Sequence, residues 1–319
     1  MRVLVTGGAG YIGSHLVDHC LRQGHEVAVL DDLSTGRISN LSGALGDIRF
    51  VHGSILDADL VTREVERADL VFHLAAAVGV RNIVESPLEG LLTNTRGTDH
   101  VLSACARHWR KVLVASTSEV YGKTTKIPMA EDDDRVLGST TVARWSYSTA
   151  KAVDEHLALA WAQRGLPVVI VRYFNSYGPR MDPRGYGSVV ATFLRQATAG
   201  EPLTVHGDGR QTRCFTYVDD TVRGTYLAAT TPAAEGRVFN IGSDVETSVL
   251  ELAERVAALL GTAADVRLVP YEAHYGRGFE DTPRRVPDIT RAREVLGWEP
   301  EVDLDDGLAR TYEWWKQHG

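Results

Sequence analysis

The stretch Val3-Leu4-Val5-Thr6-Gly7-Gly8-Ala9-Gly10-Tyr11-Ile12-Gly13 limits what this chain can fold into more than any other. The apolar run from Arg2 to Thr6 reads as a short buried strand, and a helical pattern runs from Ile12 to Gln23. Gly7, Gly10 and Gly13 occupy the turn between them. In that arrangement Gly7 permits a tight turn, Gly10 lets backbone approach a diphosphate, and Gly13 lets helix pack on strand. The diphosphate would sit at the positive N-terminal end of the helix, beside Tyr11 and Ile12.

The strand-then-helix pattern recurs down the first half of the chain. Val27–Leu30, Ile48–Val51, Leu70–Leu74, Lys111–Ser116 and Pro167–Tyr173 read as strands. Helical stretches from Thr93 to Ala106 and from Ser146 to Arg164 separate the later ones. Continuous apolar strands alternating with helices predict an α/β fold: a Rossmann-like, doubly wound parallel sheet covered on both faces. After Asn175 the texture changes. Glycine and proline punctuate Tyr177 to Gly187, a helix is expected over Val189–Ala199, and Leu203–Val205 reads as a short strand. Ser248 with Glu251 three residues on is a capping box for a helix to Leu260. Ile289–His318 looks helical on both sides of Gly297-Trp298-Glu299-Pro300. The expected organisation is a dinucleotide-binding domain over residues 1–175. A smaller substrate-binding α/β part spans 176–319, with some segments returning to the first.

The 319 residues, 44% of them hydrophobic, suffice for a large core. A formal net charge of −8 and no strongly basic patch argue against a nucleic-acid partner. Cys20, Cys105 and Cys214 are scattered without metal spacing and read as reduced, buried thiols of a cytosolic protein. No metal site is expected. With Met1 leading directly into a strand and no apolar run of about 20 residues, the expectation is a cytoplasmic protein without a membrane partner. Arg144, Arg172, Arg180, Arg210, Arg213, Arg284 and Arg285 form a candidate set for an anionic small molecule.

Asp31 and Asp32 end the second strand, where a carboxylate accepts hydrogen bonds from ribose hydroxyls. An acid there repels a 2′-phosphate, so NAD is expected over NADP; Arg37 is the residue that would favour NADP. Asp57 either caps an adenine ring or N-caps the helix beginning at Ala58. The small residues after Leu74, namely Ala75, Ala76 and Ala77, suit a backbone pressed against a flat cofactor, and equally suit close helix packing.

The chemistry is expected at two segments: Ser116-Thr117-Ser118-Glu119 and Tyr147-Ser148-Thr149-Ala150-Lys151. Four residues apart, Tyr147 and Lys151 share one helical face. A phenol ordinarily titrates near pH 10, and a nearby ammonium favours the phenolate, so Lys151 is expected to bring Tyr147 down. Glu119 adds a carboxyl group that simple oxidoreduction does not require.

Together these motifs resemble the extended short-chain dehydrogenase/reductase superfamily, in its nucleotide-sugar epimerase, dehydratase and decarboxylase branch. The resemblance spans nearly the whole chain. It continues through Arg172-Tyr173-Phe174-Asn175, Tyr177-Gly178-Pro179-Arg180, Gly207-Asp208-Gly209, Val218-Asp219-Asp220 and Phe239-Asn240-Ile241-Gly242. It implies that Asn175, Arg213 and Arg180 meet a nucleotide diphosphate, and that Leu203, Thr204 and Val205 line the base. Thr117-Ser118-Glu119 resembles the UDP-glucuronate decarboxylases; dehydratases carry an aspartate at the Ser118 position, and 4-epimerases usually lack the Glu119 carboxylate. Arg144-Trp145-Ser146-Tyr147 resembles the bacterial decarboxylase type that makes a 4-keto-pentose. The segment Tyr275–Asp281, running into Arg284-Arg285-Val286-Pro287-Asp288, aligns Arg285 with the active-site arginine of that type and places Tyr275 at the substrate. Phe279 departs from the pattern, where a tyrosine is usual.

The resemblance thus implies a UDP-glucuronate decarboxylase that uses NAD, takes a UDP-sugar and forms a homodimer. An anionic Glu119 beside a substrate carboxylate would weaken binding, so Glu119 is expected to be either protonated or bridged by Arg285. The alternative functions are a UDP-sugar 4-epimerase, an NDP-sugar 4,6-dehydratase and a non-catalytic NAD sensor. The choice between uridine and thymidine as the base stays open.

Overall fold

A computed structural model of the chain describes residues 1–78, 87–182, 188–261, 265–271 and 282–318. Its centre is a seven-stranded sheet of β1 (Arg2–Thr6), β2 (Glu26–Asp31), β3 (Ile48–His52), β4 (Leu70–His73), β5 (Lys111–Thr117), β6 (Val168–Tyr173) and β7 (Val238–Ile241). The spatial order is β7-β6-β5-β4-β1-β2-β3, and every neighbouring pair is parallel.

Alternation along β1 shows why both faces are covered. Val3 and Val5 point into one core with Leu16, Val17 and Cys20 of α1 (Tyr11–Arg22). Leu4 points the other way, into a core with Val61 and Val65 of α2 (Ala58–Glu66) and Val101 and Leu102 of α3 (Pro87–His108). Ala158 of α4 (Arg144–Gln163) joins that second core. Successive strand residues face opposite sides, so a strand buried on both faces is apolar throughout. The chain reverses its progress between β1 and β4, and the carboxyl ends of these strands open the crevice where ligands bind in such sheets.

Differences from the sequence expectation are local. Helix α3 begins at Pro87, six residues before Thr93. Proline is well tolerated in the first turn, where its missing N–H is not needed, and Gly90 and Gly97 obscure the pattern. Strand β7 and the helix Val218–Thr230 join the sheet layers from beyond residue 175. Before Gly297 the chain makes one π-type turn, Ala292–Leu296, and a helix resumes only at Leu304. Of the expected capping box the N-cap half is present: the Ser248 hydroxyl accepts from the Glu251 N–H at 3.0 Å, while the Glu251 carboxylate binds Arg255 instead.

Candidate active site

The glycine turn forms the floor of the crevice. Gly7 has φ +72°, and a Cβ there would lie 2.7 Å from the Ala75 nitrogen. At Gly13 a Cβ would lie 2.1 Å from the Gly7 carbonyl oxygen. These contacts draw β1, the start of α1 and the segment after β4 together as only glycine permits. Gly10 is the N-cap of α1 and offers no side-chain cap, so the first helical N–H groups at Tyr11, Ile12 and Gly13 face the crevice unfilled by the helix itself. That is the donor set a diphosphate requires.

Asp31 closes the same turn. Its carboxylate accepts from the Ala9 N–H at 2.9 Å and the Leu33 N–H at 2.8 Å. Burial pushes it above the ordinary carboxylate range, and the two N–H groups oppose that shift. Asp32 instead makes a local turn to the Ser34 N–H. Arg37, the residue that would favour a 2′-phosphate, pairs with Asp182 at 2.9 Å. Asp57 N-caps α2 by accepting from the Leu60 N–H at 2.9 Å. The segment Leu74-Ala75-Ala76 is fixed by Thr6, whose hydroxyl accepts from the Ala75 N–H, and by Asn94 of α3. Asn94 accepts from the Ala77 N–H at 2.7 Å and donates to the Ala77 carbonyl at 3.1 Å. Sequence reasoning missed Asn94; the available signal was a lone amide on an otherwise packing helix face. The open helix end, the glycine approaches and the acid at the end of β2 all fit NAD.

Past β5 the chain turns sharply. The Thr117 hydroxyl accepts from the Glu119 N–H at 3.2 Å and starts a short 3-10 turn, Ser118–Tyr121. Helix α4 holds this turn from the other side, where the Ser148 hydroxyl donates to the Glu119 carbonyl at 2.7 Å. Two arginines from distant segments converge on the Glu119 carboxylate. Arg144, in the first turn of α4, donates at 2.6 Å. The Arg285 guanidinium lies 3.7 Å away and also donates to the Ser118 hydroxyl at 3.5 Å. Both arginines are 6% exposed. Arg285 reaches this place because residues 284–285 pair in parallel with Thr212 and Arg213, while Met129 brackets the next residues with bonds to Val286 and Asp288. Of the two states expected for Glu119, the arginine-bridged one is the geometry found, and Arg144 shares that role with Arg285.

Tyr147 is half-buried on α4, near Leu91 and Asn94 of α3. Here one expectation is overturned. The Lys151 ammonium is bound to Asp154 at 2.8 Å, and both side chains are sealed. The phenol of Tyr147 is pushed well above its ordinary value, first by burial and then by the negative charges of Glu119 and Asp154. The lysine charge is spent on its own helix three residues on, which the tyrosine–lysine spacing alone does not reveal.

The expected nucleotide-sugar residues divide. Asn175 has φ +36°, and its side-chain Nδ2 is buried without a hydrogen-bond partner among the described residues. A buried unsatisfied donor calls for an explanation, and a ligand oxygen supplies one. Arg213 donates to the carbonyls of Thr212 and Thr282 at 2.7 and 2.9 Å and lies in register beside Arg285. Arg180 is not brought to this cluster: it pairs with Asp18 of α1 at 2.7 Å and lines a separate hollow. Leu203 and Val205 are core side chains, because their strand packs on the helix Val189–Thr198; Thr204 is tied to Gln196 on that helix. Only the backbone of this strand remains to meet a base. Among the other arginines, Arg172 is bound to Glu155 behind the site and Arg284 to Glu246. Tyr275 lies outside the described residues. All three cysteines are buried and free. No group of metal-ligating side chains occurs among the described residues.

Comparison with known proteins gives the class. Residues 3–242 match the model of the NAD dependent epimerase/dehydratase family, and the chain belongs to that family. It is an NAD-dependent enzyme. The chain is 43% identical to the UDP-N-acetyl-alpha-D-glucosaminuronate decarboxylase of Bacillus cytotoxicus, over 99% of this chain and 98% of that relative. It is 37% identical to UDP-glucuronic acid decarboxylase 1 of Xenopus tropicalis, over 99% of this chain and 72% of that one. The structure of UDP-glucuronic acid 4-epimerase from Bacillus cereus, in complex with UDP-glucuronic acid and NAD, superposes with a TM-score of 0.89 at 31% identity, covering 99% of both chains. No helix among the described residues is long and apolar enough to cross a membrane.

Proposed function

We propose that the protein is an NAD-dependent decarboxylase of UDP-hexuronic acids, with UDP-glucuronate as the reference substrate. The single observation that carries this reading is the grip on Glu119 of Arg285 and of Arg144, the latter three residues before Tyr147 on α4. Two buried guanidiniums on one carboxylate leave an excess of positive charge at that place, which a C5 carboxylate complements and a neutral sugar does not.

In this reading Tyr147 takes the proton from the C4 hydroxyl. Bound NAD+ supplies a reversible acceptor for the C4 hydride. The sugar is then a 4-ketone β to its carboxylate. The C5–C6 bond breaks, its electron pair moves toward the ketone oxygen as an enolate, and CO2 leaves. Thr117 and Ser118 orient the hydroxyl and the developing enolate. Arg285 and Arg144 align the carboxylate, and Glu119 manages the proton delivered to C5. Return of the hydride yields a UDP-pentose such as UDP-xylose; early release yields the 4-keto-pentose. Asn175 and Arg213 hold the diphosphate, so residues 1–175 serve NAD and most of 176–319 serve the nucleotide sugar. The Bacillus cytotoxicus relative favours testing a 2-acetamido uronate beside UDP-glucuronate.

The reading includes a cytoplasmic homodimer joined through α3 and α4, on which Leu88 and Val153 are exposed; light scattering of the purified protein tests the dimer. The function is tested by incubating the protein with each uronate and NAD+ and following the sugar by NMR. A UDP-pentose or its 4-ketone is expected; a C4-inverted uronate would favour the 4-epimerase instead.

A further inference from the structure

Behind Lys151 the structure contains a sealed polar chain. The Thr6 hydroxyl bonds His73 Nδ1 at 2.8 Å, and His73 Nε2 bonds the Thr98 hydroxyl at 3.1 Å. Burial pushes the Asp154 carboxyl above its ordinary range, while the Lys151 charge and the Thr98 hydroxyl oppose that shift, and Asp154 binds Lys151 at 2.8 Å. These five side chains come from β1, β4, α3 and α4, and all are at least 97% buried. The chain thus runs from the glycine turn to the catalytic helix.

We infer that Asp154 is a positioning residue for the oxidation step: its carboxylate fixes the Lys151 ammonium and sets the pH at which Tyr147 can accept a proton. The inference rests on the reading of Tyr147 as the base. Three observations support it. A buried ion pair is a poor device for stability, since well-packed apolar residues often do as well. One carboxylate oxygen, Asp154 Oδ1, has no hydrogen-bond partner among the described residues, a cost that a merely structural role does not repay. His73 cannot share the compensation: burial and the Lys151 charge lower it to about 3, and it stays neutral.

Among the described residues the charges around the phenol are few. On α4 they are Lys151, Asp154 and Glu155, the last of which is bound to Arg172. Beyond β5 stands Glu119 with Arg144 and Arg285. From β4 there is only neutral His73. Asp154 therefore decides how much of the lysine field reaches Tyr147. Removing its charge while keeping an acceptor leaves Lys151 to stabilise the phenolate.

The test uses NAD+-saturated enzyme and UDP-xylose or its 2-acetamido counterpart, which carry the C4 hydroxyl and no carboxylate. Nicotinamide absorbance reports kcat/KM for C4 oxidation against pH. Asp154→Asn is expected to move the acid-side midpoint down by about one pH unit. Asp154→Glu keeps the charge and the parental midpoint. Thr98→Val makes Asp154 easier to protonate and gives a smaller shift in the same direction as Asp154→Asn; it decides the matter should Asp154→Asn fail to fold. The inference is overturned if the neutral variants lose rate equally at every pH with the midpoint unmoved, or if Asp154→Glu moves it as far as Asp154→Asn. Because this readout needs no CO2, a failure of the decarboxylase reading would appear separately, as absent CO2 with the shift intact.

Discussion

Two ion clusters flank Tyr147, and they are built oppositely. The Lys151–Asp154 pair is sealed, with side chains 3% and 0% exposed, and both partners come from one helix. Around Glu119 the partners come from three segments, at residues 119, 144 and 285, and the Glu119 side chain keeps 18% exposure. A sealed pair cannot touch a substrate; it can only shape the field at the phenol. A cluster at the crevice wall can exchange one partner for a ligand carboxylate. In the proposed reading the sealed side serves proton removal and the open side serves the fate of the carbon skeleton.

The comparison breaks most sharply at Tyr147. Tyr147→Phe removes the base common to both halves, and C4 oxidation and CO2 release should fall together by about a thousandfold, within the usual range for a general base. NAD+ binding, followed by calorimetry, should stay within about threefold. Unequal loss of the two activities would separate the halves at the wrong place.

Glu119→Gln addresses the open side alone. CO2 release should fall about a hundredfold while nicotinamide reduction by UDP-xylose stays within about threefold. Arg144→Gln should lie between these outcomes, raising KM for a uronate about tenfold with little effect on a sugar lacking the carboxylate. An equal effect of Arg144→Gln on both sugars would make the arginine a brace for the turn and nothing more.

The smallest effect concerns the sealed side and reads stability. His73 has a folded value of about 3, well below the ordinary imidazole value of about 6.5. A depressed group of this kind contributes its full share above the unfolded value, and that share is lost as pH falls below it. The loss accrues at about 1.4 kcal/mol per pH unit until about pH 3. Between pH 6.5 and 5 the parent should therefore lose about 2 kcal/mol more than His73→Gln in urea unfolding. Parallel losses in the two proteins would show that His73 is charged in the folded state.

The same contrast explains what was legible in the sequence. The strands of the first half are continuous apolar runs because they are covered on both faces, and a short-range pattern finds them. Strand β7 is only Val238–Ile241, recruited from 65 residues beyond the end of β6 at Tyr173, and nothing local marks it as part of that sheet. Tyr147, Lys151, Glu119 and Arg285 could be picked out because their residue types are chemically expressive at a recognisable spacing. Asp154 and Asn94 could not, since an acid or amide on a helix usually faces water. Arg180 misled in the opposite sense: it stands in a recognisable motif, yet Asp18 on α1 takes its charge. Partnership in space, which spacing does not encode, separates these cases.

The central claim is transient oxidation at C4 followed by loss of the C5 carboxyl group. The most direct measurement counts CO2 released from UDP-glucuronate, or its 2-acetamido counterpart, labelled at the carboxyl carbon, with purified protein and NAD+. One CO2 for each uronate consumed is the predicted result. Conversion of the uronate with its label retained would contradict it.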